Sequence, residues 1–215
     1  MNILITGASG FIGSNLMMML SDLSDTKLFA GTRQTIDLYS LDSVKDFVNK
    51  NKINCVIHCA VEGGKRNFID SSDVVYKNLL MIENLLSAVE SNCLFINVGS
   101  GAEFDRRESI NNKDELEITR KVPIDYYGFS KNLIARRLLS FQKCVTLRLF
   151  GCFYHNESSD RFIRSNIERY IRKEPMIIHQ DRYMDFIYME DFAEVIKYYI
   201  NREPSLKELN WFEHK

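Results

Sequence analysis

Three glycines, Gly7, Gly10 and Gly13, follow a short apolar run at the start of the chain. Glycine lets the backbone turn tightly and approach a pyrophosphate, whose charge is favoured by the free N–H groups of a helix N-terminus. The spacing Gly-x-x-Gly-x-x-Gly departs from the usual Gly-x-Gly-x-x-Gly, and such a triplet can also be an ordinary tight turn. Its place between a strand and an amphipathic helix favours a dinucleotide site. The predicted cofactor loop comprises Gly7, Ser9, Gly10, Phe11, Ile12 and Gly13.

The end of the second predicted strand carries no acid and reads Ala-Gly-Thr-Arg-Gln at residues 30–34. A site selective for NAD usually has Asp or Glu there to bind the ribose hydroxyls. Arg33 could instead pair with a 2′-phosphate, because its planar guanidinium matches phosphate geometry, although it could also be a solvated surface residue. We therefore predict NADP as the cofactor, with NAD as the alternative.

Tyr127 and Lys131 have the four-residue spacing that places two side chains on one face of a helix. A phenol is a poor base at neutral pH, but a nearby ammonium and a positively charged nicotinamide ring stabilise its ionised form. Tyr127 could then relay a proton to or from a sugar or alcohol oxygen while hydride moves at carbon. The pair alone also fits an ordinary amphipathic helix, and it becomes informative in combination with the glycine loop.

Strands alternate with helices over most of the chain, which predicts an α/β fold of the Rossmann type: a doubly wound parallel sheet covered by helices on both faces. Apolar runs predict strands at 2–6, 27–32, 54–58, 93–98 and 145–150, followed by a looser region with a helix at 162–172, strands at 176–179 and 186–188, and a helix at 190–201. We assign residues 1–154 to a dinucleotide-binding domain. Residues 155–215 are assigned to a partial substrate-binding region, interleaved with the sheet and reduced or truncated.

The composition excludes several other classes of protein. Of the 215 residues, 45% are hydrophobic and 27% charged, which is ordinary for a globular chain. The formal net charge of -1 gives no broad attraction to nucleic acid or to an anionic membrane. The apolar runs are too short to span a bilayer, and a strand stands where a signal peptide would need a basic segment. The 5 cysteines lie in or beside apolar runs, which argues against a disulfide framework and favours a cytoplasmic location. We assign no metal site.

Taken together, these motifs resemble the extended short-chain dehydrogenase/reductases, the NAD-dependent epimerase/dehydratase family, from Met1 to about Asn201. Residues 6–13 match the family's Thr-Gly-x-x-Gly-x-x-Gly loop, and Tyr127 and Lys131 match its Tyr-x-x-x-Lys pair. Residues 185–191, Asp-Phe-Ile-Tyr-Met-Glu-Asp, are similar to a later family segment. Within the family the nearest likeness is to nucleotide-sugar reductases of the GDP-fucose synthase type, on residues 32–33, 61–64 and 76–86.

The resemblance implies roles for further residues. Ser100 ends a strand where the family has a catalytic Ser or Thr, so it would hydrogen-bond the substrate oxygen, and Asn78 stands where the family has a helix-stabilising Asn. Family members often dimerise through two long helices, which here would be residues 72–90 and 127–139. The implied cofactor contacts also include Asp37 and Leu38 at the adenine, and Cys59, Ala60 and Val61 along the cofactor, while the implied substrate contacts are Ser100, Gly101 and Arg182.

The chain also departs from the reductases that epimerise their substrate. Ala102 stands where those enzymes carry a Cys, and their catalytic His falls at residues 161–162, with His155 in the same loop. Met184 replaces an Arg, which leaves Arg182 two positions earlier to reach a nucleotide pyrophosphate. Epimerisation beside a keto group needs groups that remove and return carbon-bound protons. These replacements therefore favour simple reduction.

The sequence thus predicts an NAD(P)-dependent oxidoreductase acting on a nucleotide-diphosphate sugar, with reduction of a 4-keto-(6-deoxy) sugar and Tyr127 as the proton relay. Two alternatives remain open. The first is an NAD-dependent nucleotide-sugar epimerase or dehydratase. A dehydratase needs an acidic pair just after the catalytic Ser or Thr, and Glu103 and Asp105 lie one position off that arrangement. The second is a cofactor-binding protein without turnover.

Overall fold

The central sheet of the computed structural model, which describes residues 1–65, 68–107, 110, 113–178 and 184–202, has five parallel strands in the order β2-β1-β3-β4-β5. Buried parallel strands are apolar on both faces, which is why the apolar runs located them. The doubly wound α/β fold predicted from the sequence is confirmed. The strands are β1 (Asn2–Thr6), β2 (Lys27–Gly31), β3 (Cys55–His58), β4 (Leu94–Ser100) and β5 (Cys144–Leu149).

Helices cover both faces of this sheet. Ser40 begins the second helix, because its hydroxyl accepts the backbone N–H of Ser43. Asp125 begins the fourth in the same way, with its carboxylate 2.8 Å from the backbone N of Gly128. The helices are α1 (Phe11–Met19), α2 (Leu41–Asn51), α3 (Asp73–Ala88), α4 (Tyr126–Leu138), α5 (Phe162–Ile171) and α6 (Met189–Asn201).

Side chains alternate along each strand, so the sheet divides the core into two layers. Ile3 and Ile5 point to one layer, together with apolar residues of α1 and α6. Leu4 and Val56 point to the other, together with residues of α2, α3 and α4. Helix α6 therefore packs on the same sheet face as α1, although the two are far apart in sequence. The boundary proposed at residues 154/155 stays a prediction.

The predicted strand at 176–179 is wrong for the part that the structure describes. Residues 176–178 form no strand, and His179 lies outside the described residues. The side chain of Asn166, on α5, accepts the N–H of Ile177 at 2.8 Å and donates to its carbonyl at 3.1 Å. An amide side chain thus takes the two backbone groups that a neighbouring strand would have bound. A small two-stranded sheet forms nearby from β6 (Cys152–Phe153) and β7 (Ile187–Tyr188).

The polar stretch before α4, for which no element was predicted, contains a short 3₁₀ helix, Glu115–Thr119, that begins at Asp114. The five cysteines are free thiols, and four of them are buried. Within the described ranges, none of the helices has both the length and the apolar character that crossing a bilayer requires.

Candidate active site

A long cleft runs along the carboxyl ends of the parallel strands, the edge where open α/β sheets bind their ligands. It brings the glycine loop, the end of β2, the loop after β3, the end of β4 and the start of α4 onto one surface. Arg182 lies outside the described residues, so its predicted contact stays a prediction. The cleft is lined by every other residue predicted for the site: Gly7, Ser9, Gly10, Phe11, Ile12, Gly13, Arg33, Asp37, Leu38, Cys59, Ala60, Val61, Ser100, Gly101, Tyr127 and Lys131.

The glycine loop has the form that a pyrophosphate needs. Gly7 has φ of +64°, and a Cβ there would lie 2.8 Å from the backbone of Ala60. A Cβ on Gly13 would lie 2.4 Å from the carbonyl oxygen of Gly7. Gly10, the residue before α1, has no side chain that could cap the helix. The first turn of α1, which the structure describes in full, carries no acidic residue. Its first N–H groups are therefore left for an anion, and this loop fits a dinucleotide cofactor.

The hydroxyl of Thr6 connects the ends of β1 and β3. Its oxygen accepts the backbone N–H groups of Cys59 and Ala60, each at 3.1 Å. Because both lone pairs are then used, the hydroxyl donates its proton to Nδ1 of His58 at 2.9 Å. Burial, aided by the charge of Lys131, lowers the pKa of His58 to about 3, which keeps the ring neutral. The loop after β3 is thus held against the glycine loop.

At the β2 end of the cleft, Arg33 meets an acid that the sequence patterns did not reveal. Its Nη2 lies 2.6 Å from Oε1 of Glu62, which comes from the loop after β3. The hydroxyl of Tyr39 donates to the same oxygen at 2.9 Å. Burial and the Glu62 carboxylate raise the pKa of Tyr39 to about 12. A carboxylate therefore stands beside the predicted phosphate-binding arginine.

Asn78, predicted only as a helix-stabilising residue, ties this loop to two helices. From α3, its Oδ1 accepts the N–H of Glu62 at 2.8 Å, and its Nδ2 donates to the carbonyl of Glu62 at 3.0 Å. The same Nδ2 donates to Oγ of Ser130 on α4 at 2.9 Å. Ser130 directly precedes Lys131. The buried amide of Asn78 therefore holds the loop after β3 in a fixed position relative to α4.

The phenol and the amine predicted for catalysis both reach the cleft from α4. The ring of Tyr127 packs against Gly64, where an added Cβ would lie 2.7 Å from the ring carbon Cε2. Lys131 is buried, and its Nζ donates to the carbonyl of Val98 on β4 at 2.9 Å. Gly64 lines the cleft but was not among the predicted site residues, although the Gly-Gly pair at 63–64 indicates a turn with positive φ.

Ser100 ends β4 with its hydroxyl at the cleft. Its oxygen accepts the N–H of Ala102 at 3.1 Å, so the hydroxyl proton stays available for a substrate oxygen. The N–H of Ser100 donates to Oε1 of Glu103 at 2.9 Å, and Oε2 of Glu103 lies 2.7 Å from Nε of Arg148. Burial raises the pKa of Glu103, and the charge of Arg148 opposes that shift.

The two acids considered for a dehydratase are both engaged elsewhere. Glu103 is fully buried behind Ser100, and each of its oxygens already has a partner. Asp105 binds the guanidinium of Arg107 through both oxygens, at 3.0 and 2.6 Å for Oδ2 and 2.9 Å for Oδ1. These bonds lower the pKa of Asp105 to about 2. Neither carboxylate is placed to exchange protons with a substrate in the cleft.

The positions that depart from the epimerising reductases are also in view. Ala102 is buried beside Ser100, and Arg161 and Phe162 line the cleft. His155 is exposed, its ring packs against Tyr154 at a centroid distance of 4.2 Å, and it is absent from the residues that line the cleft within the described ranges. Among the described residues, no histidine lines the cleft in place of the catalytic His that the epimerising reductases carry at positions 161–162.

Comparison with known proteins agrees with this geometry. The model of the NAD dependent epimerase/dehydratase family matches residues 3–210. A GDP-6-deoxy-D-talose 4-dehydrogenase of Aggregatibacter actinomycetemcomitans is 25% identical over 209 residues, which cover 91% of this chain and 69% of that protein.

Two solved structures show the same fold. The GDP-mannoheptose C4 reductase of Campylobacter jejuni with NADP bound has a TM-score of 0.78 at 20% identity, covering 93% of this chain and 74% of its own. A GDP-L-fucose synthetase of Naegleria fowleri bound to NADP has a TM-score of 0.74 at 15% identity, covering 93% and 68%. The prediction of a nicotinamide-dependent enzyme is confirmed, and the chain belongs to the NAD dependent epimerase/dehydratase family.

Proposed function

We propose that this protein is an NADP-dependent reductase of a nucleotide-diphosphate 4-keto sugar, with a 4-keto-6-deoxy sugar as the preferred class. One observation carries the proposal: the side chains of Ser100, Tyr127 and Lys131 line the same cleft as the glycine loop. The names of the similar proteins, which include a GDP-sugar 4-dehydrogenase and a GDP-heptose C4 reductase, support chemistry at carbon 4.

The nicotinamide, when bound, supplies the hydride to the keto carbon. The residues of this chain act on the oxygen. The Ser100 hydroxyl donates a hydrogen bond to the keto oxygen, and the phenol of Tyr127 donates the proton that turns the ketone into an alcohol. Lys131, held by the carbonyl of Val98, places its ammonium on the Tyr127 face of α4 and stabilises the phenolate left behind.

Simple reduction is favoured over the two alternative reactions. Epimerisation requires a base and an acid at the carbons beside the ketone, and Ala102, Arg161 and Phe162 supply neither. Dehydration requires free acids near the substrate, and Glu103 and Asp105 are committed to Arg148 and Arg107. A binding protein without turnover would have no need for Ser100, Tyr127 and Lys131 on one cleft. The contacts of Gly101 and Arg182 with the nucleotide sugar, a cytoplasmic location and a homodimer formed through α3 and α4 are parts of the same proposal.

The test is NADPH oxidation with a panel of GDP-, dTDP- and UDP-linked 4-keto-6-deoxy sugars. We expect Tyr127→Phe to lose about 10²- to 10⁴-fold in turnover while its NADPH affinity is retained, since the phenol serves as a proton donor. Tyr170→Phe, a change on the exposed face of α5, is the matched control and keeps full activity. A Tyr127→Phe variant as active as the parent would contradict the enzymatic proposal.

Running the reaction in D₂O separates reduction from epimerisation. Reduction alone leaves carbons 3 and 5 of the product without deuterium beyond the exchange seen in an enzyme-free sample. Enzyme-dependent deuterium at either carbon, measured by NMR, would replace the reductase with an epimerising enzyme.

A further inference from the structure

The carboxylate of Glu62 occupies the end of the cleft where dinucleotide sites distinguish a phosphorylated from a free ribose. The residue at the end of the second strand usually makes this distinction. Here β2 ends at Gly31, and Arg33 lies two residues after it. The side chain of Arg33 is 84% exposed, and its Nη2 lies 2.6 Å from Oε1 of Glu62. An acid from a different loop thus neutralises the cation on which phosphate recognition would depend.

The position of Glu62 is built into the fold. Both of its backbone hydrogen-bonding groups are taken by the side chain of Asn78, which is buried on α3. Its carboxylate also accepts the hydroxyl of Tyr39 at 2.9 Å. Backbone and side chain are therefore both fixed, so the acid meets any ligand that approaches Arg33.

A cofactor with a 2′-phosphate and a cofactor with a free ribose bind favourably to different members of the Arg33–Glu62 pair. A 2′-phosphate is a dianion that needs the fork of the Arg33 guanidinium and is repelled by the Glu62 carboxylate. A free ribose offers hydroxyl donors, which a carboxylate accepts without charge repulsion. The same two side chains thus favour different cofactors, and their ion pair keeps the local charge near neutral.

We propose that Glu62 is a cofactor-selectivity residue that competes with the 2′-phosphate for Arg33 and accepts a hydrogen bond from the unphosphorylated ribose. The proposal rests on the cofactor site described above. Its consequence is a modest preference for NADPH over NADH, set by the Arg33–Glu62 balance, in place of strict selectivity.

Binding of two adenosine fragments tests this inference without any turnover. Adenosine 2′,5′-bisphosphate and AMP differ only in the 2′-phosphate, and isothermal titration gives the affinity of each. We expect Glu62→Gln to raise the ratio of bisphosphate to AMP affinity by about tenfold, and Arg33→Ala to lower it by about tenfold. Glu90→Gln removes the same charge from an exposed position near the end of α3 and leaves the ratio unchanged.

A Glu62→Gln ratio within twofold of the parent, or below it, overturns the inference while leaving the reductase proposal intact. A shifted ratio together with a Tyr127→Phe variant that stays fully active overturns the reductase proposal alone. Binding of neither fragment by the folded parent overturns both. Matching circular dichroism spectra and melting temperatures verify that each variant is folded.

Discussion

The carboxylate of Glu103 and the guanidinium of Arg148 meet at 2.7 Å directly behind Ser100. Glu103 is fully buried and Arg148 is only 10% exposed, so water screens the pair little. The other carboxylate oxygen accepts the N–H of Ser100, and a Cβ on Gly99 would lie 2.4 Å from that oxygen. Glu103 is therefore a positioning residue, which fixes the end of β4 where the hydroxyl of Ser100 enters the cleft.

Removing one partner of this buried pair is expected to be costly. Arg148→Met leaves the Glu103 carboxylate buried without its cation, and the free energy of unfolding should fall by about 3 to 5 kcal/mol. The double variant Glu103→Gln/Arg148→Met should recover part of that loss. Urea unfolding measures both. The exposed pair Arg172–Glu174 is the control, since Arg172→Met should cost no more than about 1 kcal/mol. Equal losses for the two arginine variants would contradict the assignment of Glu103.

Substitution of Gly64 by alanine should lower turnover through the Tyr127 ring, and a comparison with Gly63→Ala distinguishes this effect from a loss of stability. The Cβ added at Gly64 would lie 2.7 Å from the Tyr127 ring, so the phenol must move, and we expect turnover to fall at least about tenfold because a small misplacement of a catalytic group is costly. Gly63→Ala is the comparison: it has positive φ as well, but its Cβ meets the Asp70 carboxylate at 2.8 Å and the side chain of Val74 at 3.0 Å, not the ring of Tyr127. Both variants should lose about 1 to 2 kcal/mol of stability, because a residue with a Cβ is strained at positive φ. Similar turnover in the two variants would show that the Gly64 contact does not position Tyr127.

Lys131→Met tests the ammonium without emptying the space that its side chain fills. We expect turnover to fall about 10²-fold, because the phenolate of Tyr127 loses its stabilising charge. The carbonyl of Val98 also loses its donor, which should cost about 1 kcal/mol of stability. NADPH oxidation and urea unfolding measure the two effects. Lys45→Met, on the exposed side of α2, should change neither, and a fully active Lys131→Met variant would refute the role of the amine.

Acid should destabilise the protein through His58. The unfolded chain binds a proton at this ring near its ordinary pKa of 6.5, whereas the folded pKa is about 3. The unfolded state therefore holds more protons between these values, so stability falls as the pH drops through that window, by up to about 1.4 kcal/mol per pH unit. Urea unfolding at pH 7.5, 6.5 and 5.5 should show a shallower acid loss in His58→Gln than in the parent. The exposed His155→Gln should retain the parental slope, and an unchanged slope in His58→Gln would contradict the prediction.

The sequence predicted those parts of the fold and site that depend on local pattern. Buried parallel strands are continuous apolar runs, and the glycine loop and the Tyr127–Lys131 spacing are short motifs, so each was visible in a few residues. The pairs Arg33–Glu62 and Glu103–Arg148 were not, because charged residues are usually solvated and these partners are brought together only by the sheet order. The strand at 176–179 failed for a related reason. Its apolar residues are locally strand-like, but a distant amide, Asn166, takes the backbone groups of Ile177.

The packing of α6 against α1 has a consequence for how the protein is made. Leu16 and Ile196 belong to the same core layer, yet roughly 180 residues separate them along the chain. On a ribosome, the first strand and its helix emerge long before the segment that shields their apolar side. Such delayed burial slows folding and leaves apolar surface exposed to non-native association. A nascent chain arrested before α6 has emerged should therefore bind chaperones, and release of the completed polypeptide should end that association.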